Sequence, residues 1–197
     1  MSVDLWKSTF GDEYTKRNTA NIGARLQLWK MLFPKGCGSV LEVGANSGQN
    51  LEAISLISDC TMYAVEPNAS ARSELIERGL VHPGRVTDDS ADNIRFADRV
   101  ADLVFTSGVL IHIPPDKLAA SMREIYRCAR RWIICGEYFA PSEEMIPYRG
   151  HDNAMWRRDY GSMYLDLFPD LRCNATTFAW KRQTGLDNLT FWVFEKT

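Results

Sequence analysis

Apolar positions along this chain follow two rhythms. Short, dense apolar runs recur at 39–43, 61–66, 84–87, 101–106, 131–137, 173–180 and 189–196 and predict seven strands. Between several of them, apolar residues recur at three- and four-residue spacing. That spacing predicts helices at 49–57, 69–78 and 116–129, with a further helix at Asn21–Leu32 ahead of the first strand. In 116–129, Leu118, Met122, Ile125, Tyr126 and Ala129 form one stripe, behind Pro114 and Pro115 where a helix start tolerates them. Alternating strands and helices predict a βαβ series and a mostly parallel sheet. The last two strands differ. Lys181–Asn188 between them has no helical pattern, so they are expected to pair as a hairpin that adds an antiparallel C-terminal strand. Residues 138–170 show neither rhythm and are expected to form an irregular insertion. No repeat, linker or low-complexity tract divides the chain, so 1–197 reads as a single α/β domain.

Composition narrows the classes. With 197 residues, 45% of them hydrophobic, the chain can bury a sizeable core. A net charge of −2 argues against a protein built to grip nucleic acid. Arg127, Arg130 and Arg131 cluster, as do Arg157 and Arg158. The first group reads as solvated charge near a helix end, the alternative being a local basic patch. The five cysteines are odd in number and form no C-x-x-C pair or metal-ligand spacing, so no metal site is expected. Cys128 and Cys135 read as small core hydrophobes. Free thiols, no signal-peptide pattern and no apolar run of membrane length together predict a cytoplasmic protein with no membrane partner.

The candidate chemistry lies where strands end. Ser39-Val-Leu-Glu42-Val-Gly44-Ala45-Asn46-Ser-Gly48 is a strand breaking into a small-residue turn before a helix. Strand, tight turn and helix bring a nucleotide-like ligand against backbone N–H groups. The acid two residues before the first glycine would repel a pyrophosphate and suits the cationic methionine end of S-adenosylmethionine. The second strand ends in Glu66, 24 residues after Glu42, followed by Pro67. A carboxylate there can accept hydrogen bonds from both ribose hydroxyls. Asp88-Asp89-Ser90 follows the third strand, and Asp89 is the acid favoured to face an adenine amino group. After the fourth strand, Ser107-Gly108-Val109 permits close backbone approach to a ligand. His112 follows, either as a satisfied core histidine or facing substrate. The fifth strand delivers Glu137 and Tyr138 to the same edge. Arg149 could pair with Glu137 or clamp a substrate carboxylate. Trp6, Phe10, Tyr14 and Arg17 could fold over the ligand as an aromatic and basic lid, or pack as an ordinary amphipathic helix.

These motifs resemble the class I S-adenosylmethionine-dependent methyltransferases, through Glu42-x-Gly44-x-Asn46-x-Gly48, Glu66, Asp89-Ser90 and Asp102-Leu-Val-Phe-Thr-Ser-Gly-Val-Leu-Ile-His112-Ile. The resemblance implies a Rossmann-like seven-stranded sheet, its C-terminal strand antiparallel, with helices on both faces. Asn46 stands where most members carry glycine, and asparagine is among the residues that best tolerate a left-handed backbone. A closer resemblance runs through Trp6-x-x-x-Phe-Gly-Asp-Glu-Tyr14-x-x-Arg17-Asn18, Glu42 to Asn50, Ser107 to Ile113, Glu137-Tyr138 and Ile146-Pro-Tyr148-Arg149-Gly-His151. It is to the methyltransferases associated with pseudaminic acid biosynthesis, which implies a sugar or nucleotide sugar as acceptor.

The expected function is methyl transfer from S-adenosylmethionine to oxygen or nitrogen of a small molecule. Residues 1–35 would form a helical lid and 138–170 a substrate-side insertion. The expected cofactor residues are Tyr14, Arg17, Glu42, Gly44, Ala45, Asn46, Gly48, Glu66, Pro67, Asp89, Ser90, Ser107, Gly108 and Val109. His112, Glu137 and Tyr138 are the expected catalytic set, with Tyr148, Arg149 and His151 on the acceptor. The competing readings are a small Rossmann NAD-dependent enzyme and a non-catalytic S-adenosylmethionine-binding protein.

Overall fold

The structure is a computed structural model that describes residues 3–17 and 21–197, and the side chains of 151–153 lie outside the described set. Asn18 of the N-terminal motif therefore lies outside the described residues. Two short helices, α1 (Val3–Lys7) and α2 (Thr9–Arg17), precede α3 (Ile22–Leu32). There follow β1 (Ser39–Val43), α4 (Gln49–Ser55), β2 (Thr61–Val65), α5 (Ala69–Glu77), β3 (Val86–Thr87) and β4 (Ala101–Ser107). The rest of the chain comprises α6 (Pro115–Cys128), β5 (Ala129–Glu137), β6 (Glu144–Tyr148), β7 (His151–Arg157), α7 (Tyr160–Leu167), β8 (Leu171–Ala179), α8 (Lys181–Thr184) and β9 (Leu189–Lys196).

Seven strands form one sheet in the order β3-β2-β1-β4-β5-β9-β8. The pairs from β3 to β5 are parallel, and β9 runs antiparallel to both β5 and β8. The expected mostly parallel sheet with an antiparallel C-terminal strand is therefore the observed one. Side-chain alternation divides the core between its two faces. Leu41, Val104, Ile133 and Cys135 pack on one side with Met122 and Ile125 of α6. Val40, Leu103, Phe105 and Ile134 pack on the other with Trp29, Leu51 and Ile54. Helix starts are fixed by side-chain caps: Asn21 accepts from the Ala24 N–H at 3.1 Å, and Asn68 from the Ala71 N–H at 2.8 Å.

Two expectations are corrected. Residues 138–170 are not irregular: β6 and β7 form an antiparallel hairpin outside the main sheet, and α7 follows. Pro147 disguises the first strand, because a proline withholds a ladder donor; it sits where the register shifts between Ile146 and Tyr148. Tyr148 pairs with His151 across a two-residue turn in which Arg149 (φ 50°) and Gly150 (φ 81°) both take left-handed backbone. That geometry matches strand twist, but the arginine departs from the usual asparagine or aspartate. The second correction is at 181–188, which begins with the short helix α8. Among the described residues no helix is long and apolar enough to cross a membrane.

Gly136 shows how tightly the sheet packs beside the site. A Cβ placed there would lie 2.2–2.9 Å from three ring carbons of buried Phe191. Gly136→Ala is expected to lower unfolding stability by about 1–3 kcal/mol through overpacking. Urea denaturation checks this, and an unchanged midpoint would show that the ring has room to move.

Candidate functional site

The carboxyl ends of β1, β2, β4 and β5 share one edge of the sheet, and backbone hydrogen bonds extend the ladder into the turns beyond them. Gly44 and Ala45 N–H both donate to the Val65 carbonyl at 2.7 and 3.1 Å, and Gly108 N–H donates to the Gly136 carbonyl at 2.8 Å. A cavity of about 480 Å³ opens above this edge, roofed by α1, α2 and the β6–β7 hairpin. That size lies within the usual range for small-molecule sites.

Glu66 is the centre of the first half. It is buried, and its two oxygens accept the backbone N–H of Asn46 (2.7 Å) and of Asn68 (2.8 Å). Burial raises its pKa, and the two N–H donors oppose that rise. Each oxygen keeps a lone pair for another donor. Asn46 holds its expected left-handed backbone at φ 48°, stabilised by its own Oδ1 accepting from the Ser47 N–H at 2.7 Å. Gly44 (φ 77°) is needed for space as well, since a Cβ there would lie 2.5 Å from Val109 Cγ2.

Glu42 points to the opposite face from its neighbours Leu41 and Val43, toward α3 and α4. Its Oε1 accepts from Asn50 Nδ2 at 2.7 Å, and the Asn50 Oδ1 accepts from Arg25 Nη1 at 2.8 Å and Trp29 Nε1 at 3.3 Å. Burial pushes the Glu42 carboxyl up to about 8, against the opposing pull of Asn50 and Arg25. Glu42 Oε2 and Arg25 Nε are both buried without a hydrogen-bond partner among the described residues. Both residues line the cavity.

The second half is aromatic. His112 is 6% exposed, and its ring lies 4.9 Å from that of Trp6 and 5.0 Å from that of Tyr148. Its Nδ1 is 2.8 Å from the Ala154 carbonyl on β7. A carbonyl can only accept, so Nδ1 carries the proton and Nε2 of the neutral ring carries the lone pair. Burial lowers its pKa to about 4, so the ring is neutral at pH 7. Trp6 also packs on Tyr14 at 5.2 Å.

Most of the sequence-predicted residues converge on this cavity. Tyr14, Arg17, Glu42, Gly44, Ala45, Asn46, Glu66, Pro67, Asp89, Ser90, Ser107, Gly108 and Val109 all line it, as do His112, Tyr138, Tyr148 and Arg149. Asp89 is also engaged with Arg95, whose backbone N–H and Nε both donate to it. Two predicted residues, Gly48 and Glu137, do not meet there. Gly48 (φ 81°) is the N-cap of α4 and packs against Leu75 and Leu80 instead. The side chain of His151 lies outside the described residues. Glu137 is fully buried behind the cavity, where its oxygens accept the Val109 and Ile111 N–H groups at 3.2 Å. Neither the expected base nor the expected partner of Arg149 is found in it; it holds the turn that carries His112. Arg127, Arg130 and Arg131 are paired with Glu124 and Asp98, Asp102 and Glu195, which leaves no open basic patch there. Arg25 and Asn68 were not anticipated. The available signal for Arg25 was a cation four residues before Trp29, on the same face of α3.

Burial places the Glu137 pKa at about 7, against an ordinary 4.5. A carboxyl whose folded pKa is raised contributes most stability below pH 4.5 and loses that contribution as pH climbs to about 7. Glu137→Gln is therefore expected to lose less stability than the wild type between pH 4.5 and 7, by up to about 1.4 kcal/mol per pH unit. Denaturation midpoints across that window check it, and parallel pH profiles would overturn it.

Residues 40–131 match the family model of a methyltransferase domain. No curated protein matches the chain. The 1,6-didemethyltoxoflavin-N1-methyltransferase of Burkholderia thailandensis, crystallised with bound 1,6-didemethyltoxoflavin and S-adenosylhomocysteine, is 15% identical. It matches with a TM-score of 0.72 over 98% of this chain and 88% of its own. An S-adenosylmethionine-dependent methyltransferase of Thermotoga maritima is 17% identical, with a TM-score of 0.67 over the whole of both chains. Phosphoethanolamine N-methyltransferase 1 of Haemonchus contortus is 15% identical, with a TM-score of 0.72 over all of this chain and half of its own. At such identities structural likeness shows the fold alone. Residues 40–131 thus match the model of a methyltransferase domain, in a chain that shares the Rossmann-like fold of solved S-adenosylmethionine-dependent methyltransferases.

Proposed function

We propose that this chain is an enzyme that transfers the methyl group of S-adenosylmethionine to an oxygen or nitrogen of a small acceptor, a sugar or nucleotide sugar. One observation carries the reading: a single cavity is lined by Glu66 at the tip of β2, by Glu42 and Arg25, each with a buried atom lacking a partner among the described residues, and by a neutral His112. The donor set fits the cofactor. Glu66 has lone pairs for ribose hydroxyls, Asp89 and Ser90 line the same cavity and would face the adenine, and Glu42 and Arg25 suit the ammonium and carboxylate of an amino acid. Asn46 N–H, which a dinucleotide enzyme would turn on a pyrophosphate, is instead spent on Glu66.

Bound there, S-adenosylmethionine supplies a methyl group already activated by its sulfonium, so alignment and exclusion of water carry much of the acceleration. His112 then accepts the acceptor's proton on Nε2, while the Ala154 carbonyl keeps the other nitrogen protonated. Tyr138 lines the same wall, its phenol pushed up to about 12 by burial, and acts as a hydrogen-bond donor rather than a base. Arg149, with no carboxylate partner among the described residues, would receive an anionic group of the acceptor, and the Tyr148 and Trp6 rings would pack on its body. In this reading the chain is one domain, with residues 1–35 as lid and 138–170 as acceptor-side wall. A sugar acceptor is supported by the aromatic and cationic lining and by the resemblance of the Ile146–His151 motif.

The test is transfer of labelled methyl from S-adenosylmethionine into a panel of nucleotide sugars and acidic sugars, read by mass spectrometry. Incorporation into one of them is the expected result. Tight cofactor binding with no transfer would favour a binding protein, and saturable NAD binding without response to S-adenosylmethionine would reject the reading. Glu66→Ala is expected to weaken cofactor binding by about 1.5–3 kcal/mol by calorimetry, the range for hydrogen bonds to a charged group. Unchanged affinity would remove Glu66 as the ribose ligand. His112→Ala is expected to lower kcat by about 10²-fold or more with cofactor affinity nearly unchanged. Undiminished turnover would remove it as base.

A further inference from the structure

Arg158 is a cation placed where an arginine costs most. It follows β7 directly and is 2% exposed. Its Nε donates to Glu143 Oε2 at 2.6 Å, and its Nη1 to the Ile113 carbonyl at 3.1 Å and to Tyr160 Oη at 3.3 Å. Its guanidinium lies 5.0 Å over the Trp156 ring. The backbone joins in: Arg158 N–H donates to the Tyr138 carbonyl, and Ala140 N–H donates to the Arg158 carbonyl, both at 3.3 Å. Burying such a charge is expensive, and a hydrophobic residue of similar volume would fill the space at lower cost. What no hydrophobic residue can do is tie Glu143, the Ile113 carbonyl and the Tyr160 hydroxyl together.

The segments it ties are the acceptor side of the cavity. Ile113 follows His112 immediately. Tyr138 is the first residue past β5. The hairpin rooted at Arg158 carries Tyr148, Arg149 and, four residues before Arg158, Ala154, whose carbonyl holds His112 Nδ1. β6 and β7 pair only with each other, so the hairpin meets the His112 turn through side chains: the Tyr148 ring on His112, Met155 in the same core cluster as Ile111, and the Arg158 guanidinium on the Ile113 carbonyl. Arg158 thus adds a polar tie beside His112, between the hairpin end and the turn, to the packing that sets the separation between the histidine and the carbonyl that selects its tautomer.

We propose that Arg158, oriented by Glu143, is a positioning residue for methyl transfer: it clamps the hairpin root to the His112 turn so that His112 keeps its proton on Nδ1 and presents Nε2 to the acceptor. This rests on the reading of His112 as the acceptor-side base. Arg158 does not touch the acceptor; it acts through the Ala154–His112 hydrogen bond. Lysine at this position would keep the charge but lose the fork that reaches Glu143 and Ile113 together.

Long-range ¹H–¹⁵N spectra of ¹⁵N-histidine protein test it, because they report which ring nitrogen is protonated without requiring turnover. The chain has three histidines, and the signals missing from His112→Gln assign that ring. The wild type is expected to show His112 protonated on Nδ1. Arg158→Lys is expected to show a mixture of tautomers, with kcat reduced about tenfold or more and the KM for S-adenosylmethionine within about twofold. Glu143→Gln removes the orienting charge at a half-exposed position, keeps the fold if Arg158→Lys does not, and is expected to move both readouts in the same direction by less. A wild-type His112 protonated on Nε2 overturns the proposal, as does either folded variant with tautomer and kcat unchanged. If the wild type transfers no methyl group to any acceptor, the methyltransferase reading fails, and the spectra still decide the clamp.

Discussion

The Glu66 carboxylate is the contact on which the cofactor half of the site depends. It stands at the tip of β2 and takes one N–H from the turn after β1 and another from the turn after β2. A buried carboxylate left without donors costs several kcal/mol, so the chain must bring both turns to it. Asn46 meets that demand by adopting a left-handed backbone that aims its N–H inward, and its own side chain bonds the next N–H. The loop is thereby shaped before any ligand arrives, and electrostatic preorganisation of this kind is what lets a site bind without first paying to rearrange itself.

The same edge holds two other acids whose fates differ because strand residues alternate. Glu42 shares its face with Val40 and reaches across to Asn50 and Arg25 on the α3 and α4 side. Glu137 shares its face with Ile133 and Cys135 and meets the backbone of the turn before α6. One faces the cavity and the other anchors a wall of it, although each lies at or near the end of an apolar strand. Burial raises both pKa values, to about 8 and about 7. A bound cation beside Glu42 would favour its charged form, whereas nothing of that kind reaches Glu137.

This division explains what could be read from the chain and what could not. Strand ends are legible because an apolar run must stop and a glycine or acid marks the place, so β1, β9 and the convergence of Glu42, Glu66 and His112 at one edge follow from pattern alone. Which face an acid takes, and what waits there, depends on helices far away in sequence; Arg25 is 25 residues from its partner Asn50. Gly48 illustrates a second limit. A glycine with positive φ in a ligand-like turn looks functional, yet this one is demanded by Leu75 and Leu80 from α5 and beyond. The β6–β7 hairpin was hidden for a third reason: a proline inside a strand and an arginine in a tight turn both contradict local preference, and only pairing between the two strands overrides it.

The two halves of the cavity are joined by Asn68, which makes the N-terminal segment part of the cofactor site rather than an appendage. Its N–H supports Glu66, its Oδ1 caps α5, and its Nδ2 donates to the Trp6 carbonyl at 3.0 Å and to Asp12 Oδ1 at 2.9 Å. One side chain thus links the acid at the tip of β2, a helix start and the roof that brings Trp6 against His112. Gly11 permits the contact, since a Cβ there would lie 2.0 Å from the Trp6 carbonyl oxygen and 2.7 Å from Asn68 Nδ2. A roof held by a few polar contacts and ring contacts is cheaper to open than a packed core, because each such hydrogen bond contributes only about 1 kcal/mol net. The geometry therefore pairs a rigid floor, fixed by buried carboxylates and the sheet, with a cover whose placement is set by the same turn that carries Glu66.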